Sequence, residues 1–401
     1  MRGSSDPILV AGAGIGGLTA ALALAARGFR VIVIEKAERL EEAGAGLQLS
    51  PNATRVLVDL GLGPRLEQCA LAPDAISVMS GPRGTELVRL PLDGTYPAAP
   101  YWVMHRADLQ GALAARVHDN PQIELRLGCQ FDAFAADAHG VTVHTSRGIE
   151  PQRERAAALI GADGLWSKVR QQLQPGLQPR FAGLMAWRGT VDTQDLPRQS
   201  RLPRVQLWMG SNAHLVTYPI SQGRQTNIVA FSSGQWRDVG WSVPATVAEA
   251  GAAFTADHWS EPARAIIASV MQWRKWALFT YPAGTSWTRG RVALLGDAIH
   301  AMLPFAAQGA AMAIEDAAVL ADCMAARPEN ISSALDHYQR RRQSRTVKVQ
   351  ALAERNGRIY HLTGPMAFAR DLTMRMLGGR RLLARQNWVY AWHPQDGAGS
   401  I

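Results

Sequence analysis

The chain has 401 residues, 47% of them hydrophobic, enough to bury a sizeable core and to make two interleaved subdomains. Its net charge of +9 rests on arginine, because only four lysines occur (Lys36, Lys168, Lys275, Lys348), and no paired Cys/His or aromatic RNA-binding signature accompanies it, so nucleic-acid binding is not expected. Cys69, Cys129 and Cys323 are too few and too scattered for a disulfide framework or a metal site, no run of 18 apolar residues exists to span a membrane, and MRGSSDP is not a signal peptide; a cytoplasmic α/β protein is expected.

Residues 7–11 read as a strand, GAGIGG at 12–17 as a tight turn, 18–27 as a helix ended by Gly28, and 30–35 as a second strand that finishes on an acid. This is a complete βαβ dinucleotide pattern. Gly12 permits the turn, Gly14 lets backbone approach a pyrophosphate, Gly17 allows close helix-to-strand packing, and Glu35 is placed to accept hydrogen bonds from a ribose. An acid at that place disfavours a ribose 2′-phosphate, so FAD or NAD is expected rather than NADP. Residues 44–52 form a second glycine-bearing loop, either an opening for a flat ring or a plain connection, followed by a helix over 53–60.

Short strands are expected over 75–90, and 101–106 lead into a helix over 107–117 with Arg106 at the junction. The segments 123–127, 130–134 and 141–145 read as an antiparallel layer with a turn at His139-Gly140. A buried strand at 156–161 closes on Asp163-Gly164 and a helix carrying Ser167 and Arg170. Residues 180–232 are strand-rich and predict a sheet-based second domain, in which His214 and Tyr218, four apart on one strand, share a face. Arg188 on another of these strands suits a salt bridge or solvent better than a ligand. Two helices fall within 243–271, and 276–281 return as a strand.

The stretch GDAIHAMLPFAAQGAAMAIEDA at 296–317 then reads as a tight loop opening into a helix over 308–325. Its start carries no bulky side chain, so its N–H groups favour negative charge and admit a planar ligand. A long helix is expected over 331–358, where RRRQSR at 340–345 reads as a solvated face. A basic tail closes with Trp388, Tyr390 and Trp392, placed for packing or for contact with a second copy.

Taken together, Gly12 to Gly17 with Glu35, Asp163-Gly164 with Ser167 and Arg170, and Gly296-Asp297 with Pro304, Gln308 and Gly309 resemble one family. It is that of the single-component flavoprotein aromatic hydroxylases related to para-hydroxybenzoate hydroxylase, in the branch of the salicylate, 3-hydroxybenzoate and 6-hydroxynicotinate hydroxylases. The resemblance implies a Rossmann-like FAD-binding domain over 1–74, 101–179 and 282–350, a sheet-based substrate domain over 75–100 and 180–281, and a helical C-terminal region over 351–401. It implies bound FAD, NADH or NADPH as a transient co-substrate, O2, and a small hydroxylated aromatic acid hydroxylated through a C4a-hydroperoxyflavin, in a monomer or homodimer. On the same resemblance the loop with Gly12, Gly14 and Gly17 holds the FAD phosphates, Glu35 holds the adenosine ribose and Lys36 is cofactor-binding. Arg106 and Asp297 contact the ribityl and pyrophosphate portion, and the Asp163-Gly164 turn supports both flavin and nicotinamide use. Gly46, Leu47, Gln48, Pro304, Gln308, Gly309 and Ala310 face the flavin ring. His214 is implied as base or phenolate partner, Tyr218 as its hydrogen-bonding companion, and Gln308 as a pocket residue or a simple helix cap. His300 is implied as structural. An epoxidase on a non-phenolic ligand and a flavin-binding module without turnover are the rival expectations.

Overall fold

The structure, a computed structural model, describes residues 6–40, 46–96, 99–238 and 240–396. Five strands run parallel in the order Val292–Leu294, Ala158–Gly161, Ile8–Ala11, Val31–Glu35 and Ile123–Leu127, with Thr288–Arg289 antiparallel at one edge. ILVA and VIVI are continuous apolar runs, buried throughout, because helices cover a parallel sheet on both faces. The alanine-rich helix Ile15–Ala25 is one of those covers, packed between Arg106–His118 and Gly309–Ala326. Ile123–Leu127 therefore does not belong to the expected antiparallel layer but to the edge of the parallel sheet. That layer is Gln130–Ala136, Val141–Arg147 and Glu150–Ala156, the last a largely exposed EPQRERA whose polarity hides it from pattern reading.

The second sheet has eight strands in the order Ser242–Ala245, Trp273–Thr280, Arg180–Asp192, Gln225–Ser233, Ala213–Ile220, Val205–Gly210, Ala75–Ser80 and Glu86–Pro91. One face is closed by the helices Val247–Gly251 and Glu261–Ala268 over a core rich in tryptophan (Trp187, Trp208, Trp259, Trp273). Alternation along Ala213–Ile220 sends Leu215 into that core and His214, Val216 and Tyr218 to the opposite face. Of the loop expected at 44–52, Gly44 and Ala45 lie outside the described residues. Gly46–Leu49 is a strand, paired with Trp102–His105 and tied to the large sheet where the Gly46 N–H donates to Asn227 Oδ1 at 3.0 Å.

The C-terminal part of the chain is helical: Ile331–Tyr360, Gly364–Ala384 and Asn387–Tyr390. Ile331–Tyr360 runs through the division expected at 350. The arginine run is not a solvated face. Arg340 is exposed, but Arg342 is 1% exposed and grips two fully buried neighbours on helix Gly309–Ala326, Glu315 at 2.6 Å and Asp316 at 2.7 Å. Arg345 adds a second grip on Glu315 at 2.7 Å, and donates to the carbonyls of Trp388 and Val389. Tyr390 and Trp392 are buried, and Arg342 and Arg345 lie over the Trp392 ring. Among the described residues no helix is long and apolar enough to cross a membrane.

Two adjacent carboxylates in a dry core are tolerable only while the arginines stay. Arg342→Met should cost about 3–5 kcal/mol, read as a lowered denaturation midpoint. Arg342→Lys should recover little of it, since one ammonium cannot replace a planar fork bonded to two carboxylates.

Candidate active site

The turn after the first strand shows what each glycine does. A Cβ at Gly12, whose φ is +103°, would lie 2.4 Å from the Ala162 carbonyl oxygen, and one at Gly17 would lie 1.9 Å from that of Gly12. These two glycines are demanded by the protein's own backbone. A Cβ at Gly14 would meet nothing within 4 Å, although Gly14 is the N-cap of the buried helix Ile15–Ala25, whose first turn carries no acid. The space left over that positive helix end has the character of an anion cradle and fits a pyrophosphate. Glu35 ends the second strand as expected, and it also braces the turn: its carboxylate accepts from Ala13 N at 2.9 Å and Ala37 N at 3.0 Å. Lys36 is exposed beside it.

A cavity of about 330 Å³ continues from this cradle toward the large sheet. Gly46, Leu47, Gln48, Arg106, Asp297, Pro304, Gly309 and Ala310 all line it, as the sequence leads one to expect. Gly296, at φ +62°, turns the chain so that Asp297 opens a short helix with its side chain exposed. Burial lowers the pKa of the Arg106 guanidinium, and the Asp297 carboxylate opposes that shift. Opposite, helix Gly309–Ala326 begins bare, with no acid in its first turn and no side-chain cap. Ala307, just before it, holds the left-handed φ of +52° without being glycine, a strained conformation kept at the wall of the cavity.

Two expected residues stand behind the wall instead of on it. Gln308 is 2% exposed, and its amide is spent on Ser50 Oγ (2.7 Å) and Asn52 Nδ2 (3.0 Å), the latter bonded onward to Glu315. It makes no helix-cap bond and does not face the cavity, so its place is that of a brace joining the start of helix Gly309–Ala326 to helix Pro51–Asp59. Asp163 lies behind Ala162 and Gly164, which do line the cavity, and its carboxylate accepts from Val169 N at 3.2 Å at the start of helix Lys168–Leu173. His300 is buried and bonded to Asp316, the structural role expected of it.

His214 and Tyr218 do share a face, but they open on different spaces. Tyr218 lines the first cavity, where burial raises its phenol pKa and Arg188 and Arg106 oppose the rise. His214 lines a second cavity of about 800 Å³ that reaches out to helix Gly364–Ala384. Gln48, Val216, Phe231, Pro304 and Ala307 are common to both, so the two spaces meet at their walls. His214 is stacked on Phe231 at 4.4 Å and flanked edge-on by Phe305 and Tyr360, and its Nδ1 lies 2.7 Å from His361 Nε2. Burial holds its imidazole well below the ordinary range, with His361 adding to the effect.

Arg188 is the residue that nothing local in the sequence marks. It lies in the first cavity across from Val229 and Val216 in sheet register, with its guanidinium over the Trp276 ring at 5.1 Å. Its Nε is buried without a hydrogen bond, and burial lowers its pKa. The sequence signal was weak because Arg188 is one of many arginines; only the sheet shows that this one faces inward.

Gly14→Val should fold with an ordinary melting temperature yet purify without FAD, whereas Gly17→Val should fail to fold; absorbance near the flavin bands and circular dichroism separate the two. Acid should destabilise the histidine pair. Burial and the nearby Arg370 charge bring His361 down to about 4, and His214 is depressed too, so the unfolded chain binds more protons than the folded one below an imidazole's ordinary value of about 6.5. Stability should be full above that value and fall as the pH drops toward 4, with a shallower fall in His361→Gln, measured by denaturant midpoints at pH 7 and pH 5.

The description "FAD binding domain" matches residues 6–353. The chain is 36% identical over 390 residues to 3-hydroxybenzoate 6-hydroxylase 1 of Aquipseudomonas alcaligenes, covering 96% of this chain and 97% of that one. It is 36% identical over 372 residues to a 3-amino-4-hydroxybenzoate 2-monooxygenase of Streptomyces platensis, covering 92% of each. Its fold matches a salicylate hydroxylase substrate complex with a TM-score of 0.83 at 26% identity, over 98% of this chain and 97% of that one. With the glycine cradle and the cavity beyond it in place, the chain belongs to the FAD-binding family of flavoprotein aromatic hydroxylases and is an FAD-dependent monooxygenase.

Proposed function

We propose that the protein hydroxylates a small aromatic acid bearing a ring hydroxyl, of the hydroxybenzoate type, in the cytoplasm, with NADH or NADPH and O2 as co-substrates. The observation that carries this reading is one sheet face that presents a neutral imidazole, a phenol and an unpaired guanidinium around an apolar patch. Its elements are His214, Tyr218 and Arg188 around Val216, Val229 and Phe231. The names of the relatives, which act on hydroxylated benzoates, support it.

Bound FAD supplies the redox chemistry and the activation of dioxygen. The protein's part is binding, orientation and charge. Glycines 12, 14 and 17 with Glu35 hold the adenosine diphosphate end, and Arg106 with Asp297 the middle. Gly46 to Gln48 and Pro304 to Ala310 flank the ring, where the N–H groups at the start of helix Gly309–Ala326 favour negative charge. Gln308 acts through Ser50 and Asn52 by fixing that helix start. Arg188 meets the substrate carboxylate, which resolves a buried cation that the protein itself leaves unpaired. His214, kept neutral, accepts the proton of the ring hydroxyl and leaves the ring electron-rich; Tyr218 hydrogen-bonds beside it.

His214→Ala should keep its FAD but lose about 10²–10⁴-fold in hydroxylation. Arg188→Met should raise KM by about 10–100-fold, the loss of one charged hydrogen bond, with smaller effect on decarboxylated analogues. The deciding experiment is product identification by mass spectrometry after turnover with hydroxylated benzoates, pyridines and quinolines. If none of them stimulates NAD(P)H oxidation by the yellow protein, the reading is wrong.

A further inference from the structure

His214 has almost no direct access to water, being 1% exposed and enclosed by Phe231, Phe305 and Tyr360. A base in that position must pass its proton on before it can serve again. Among the described residues no aspartate or glutamate lines the cavity on which it opens, whose charged walls are Arg355, Arg370 and Arg385. The Tyr360 hydroxyl is committed to the Phe305 carbonyl at 3.2 Å. What His214 does have is His361, 2.7 Å away through Nδ1 and Nε2. His361 caps the C-terminal end of helix Ile331–Tyr360 and is only part-buried, so it stands between the enclosed ring and solvent.

The geometry points to a two-histidine proton relay: His361 carries the proton that His214 takes from the substrate hydroxyl out to bulk water. This rests on the hydroxylated-substrate reading above. At the outset His214 holds its proton on Nδ1 and His361 holds its own on Nδ1. The substrate O–H gives its proton to His214 Nε2 while the Nδ1 proton of His214 crosses to His361 Nε2, and the Nδ1 proton of His361 leaves to water. One proton has moved from substrate to solvent, and both imidazoles end neutral as the opposite tautomers; the reverse passage on product protonation resets them. Two neutral imidazoles suit such a passage because no charge has to persist in the enclosed cavity.

The charged groups facing the pair favour two neutral imidazoles over a resting cation. Arg370, on helix Gly364–Ala384, is anchored by Asp371 and by the carbonyls of Ile359 and Tyr360, which places a fixed cation near His361 that discourages a resting imidazolium. Asp371 itself is tied to Arg370 and therefore does not act as a competing acceptor.

His361 acts through His214 and is a positioning and relay residue. The test uses the FAD-loaded full chain with 3-hydroxybenzoate as probe. In His361→Gln, FAD content and probe affinity should stay within about twofold, while stopped-flow absorbance shows ionisation of the bound hydroxyl slowed by about 10–100-fold. Added imidazole should restore part of the rate, which a purely structural role would not allow. Ionisation as fast in His361→Gln as in the unaltered protein overturns the relay. A second measurement covers a variant that does not fold: in the unaltered protein the proton inventory of that ionisation should curve, with more than one proton in flight, and a linear inventory overturns the relay. A substrate-free reading keeps the two ideas apart. The unaltered protein should show a downfield proton resonance for the shared His214–His361 hydrogen, absent in His361→Gln. If it appears but no aromatic acid binds, the substrate reading has failed while the contact stands; if it does not appear, the relay has failed.

Discussion

The buried Arg342 guanidinium, bonded at once to Glu315 and Asp316, is the contact on which the rest of the site depends. Asp316 also accepts from Gly296 N at 3.1 Å and meets His300, so it fixes the turn from which Asp297 faces the cavity. Glu315 also accepts from Asn52, which bonds Gln308, which bonds Ser50. Two consecutive carboxylates thus steer two different loops toward the same cavity. Because a desolvated charge without its partner is so costly, the arrangement has few alternatives, and the loops inherit its rigidity.

Around that frame, polar groups are divided by function. Backbone groups with no side chain in the way are those that the proposed function gives to the cofactor: the helix start at Ile15, the helix start at Gly309, and the glycine-bearing strand at Gly46. The side chains assigned to the substrate in the proposed function come from the large sheet, whose pleat decides which of them face inward. The Gly46 N–H bond to Asn227 joins the two halves, and a Cβ at Gly46 would collide with Tyr218 and Asn227 near 2.6 Å. The sheet therefore sits as close to the cofactor strand as backbone allows.

How much of this was readable before the structure depends on how local each signal was. The βαβ unit with Glu35 and the Gly296–Gly309 stretch are contiguous, and each carries its own turn chemistry, so their cavity-lining residues were found from sequence. His214 and Tyr218 followed from a period of two within one strand. Gln308 was misjudged because its partner Ser50 lies 258 positions away, and a glutamine at a helix start says nothing about which way its amide turns. The arginine run at 340–345 looked solvated because helical spacing alone cannot reveal that Glu315 and Asp316 wait on another helix. Arg188, which reads from sequence as suited to a salt bridge or solvent, and His361, which the sequence does not mark, are hidden for a related reason. One is inward-facing only because of its place in an eight-stranded sheet, and the other matters only because the chain returns to His214 after 147 residues.

The C-terminal segment gives this architecture a temporal order. Tyr390 forms part of the second cavity's wall, and the residues around it are held by Arg345 at Trp388 and Val389, Arg341 at Pro394 and Arg55 at Trp392, all through main-chain carbonyls. Backbone carbonyls are offered by any sequence, so the docking depends on the arginines already standing in place. Tyr390 follows Arg55, Arg341 and Arg345 in the chain, so its part of the wall beside His214 is made after the positions that hold it.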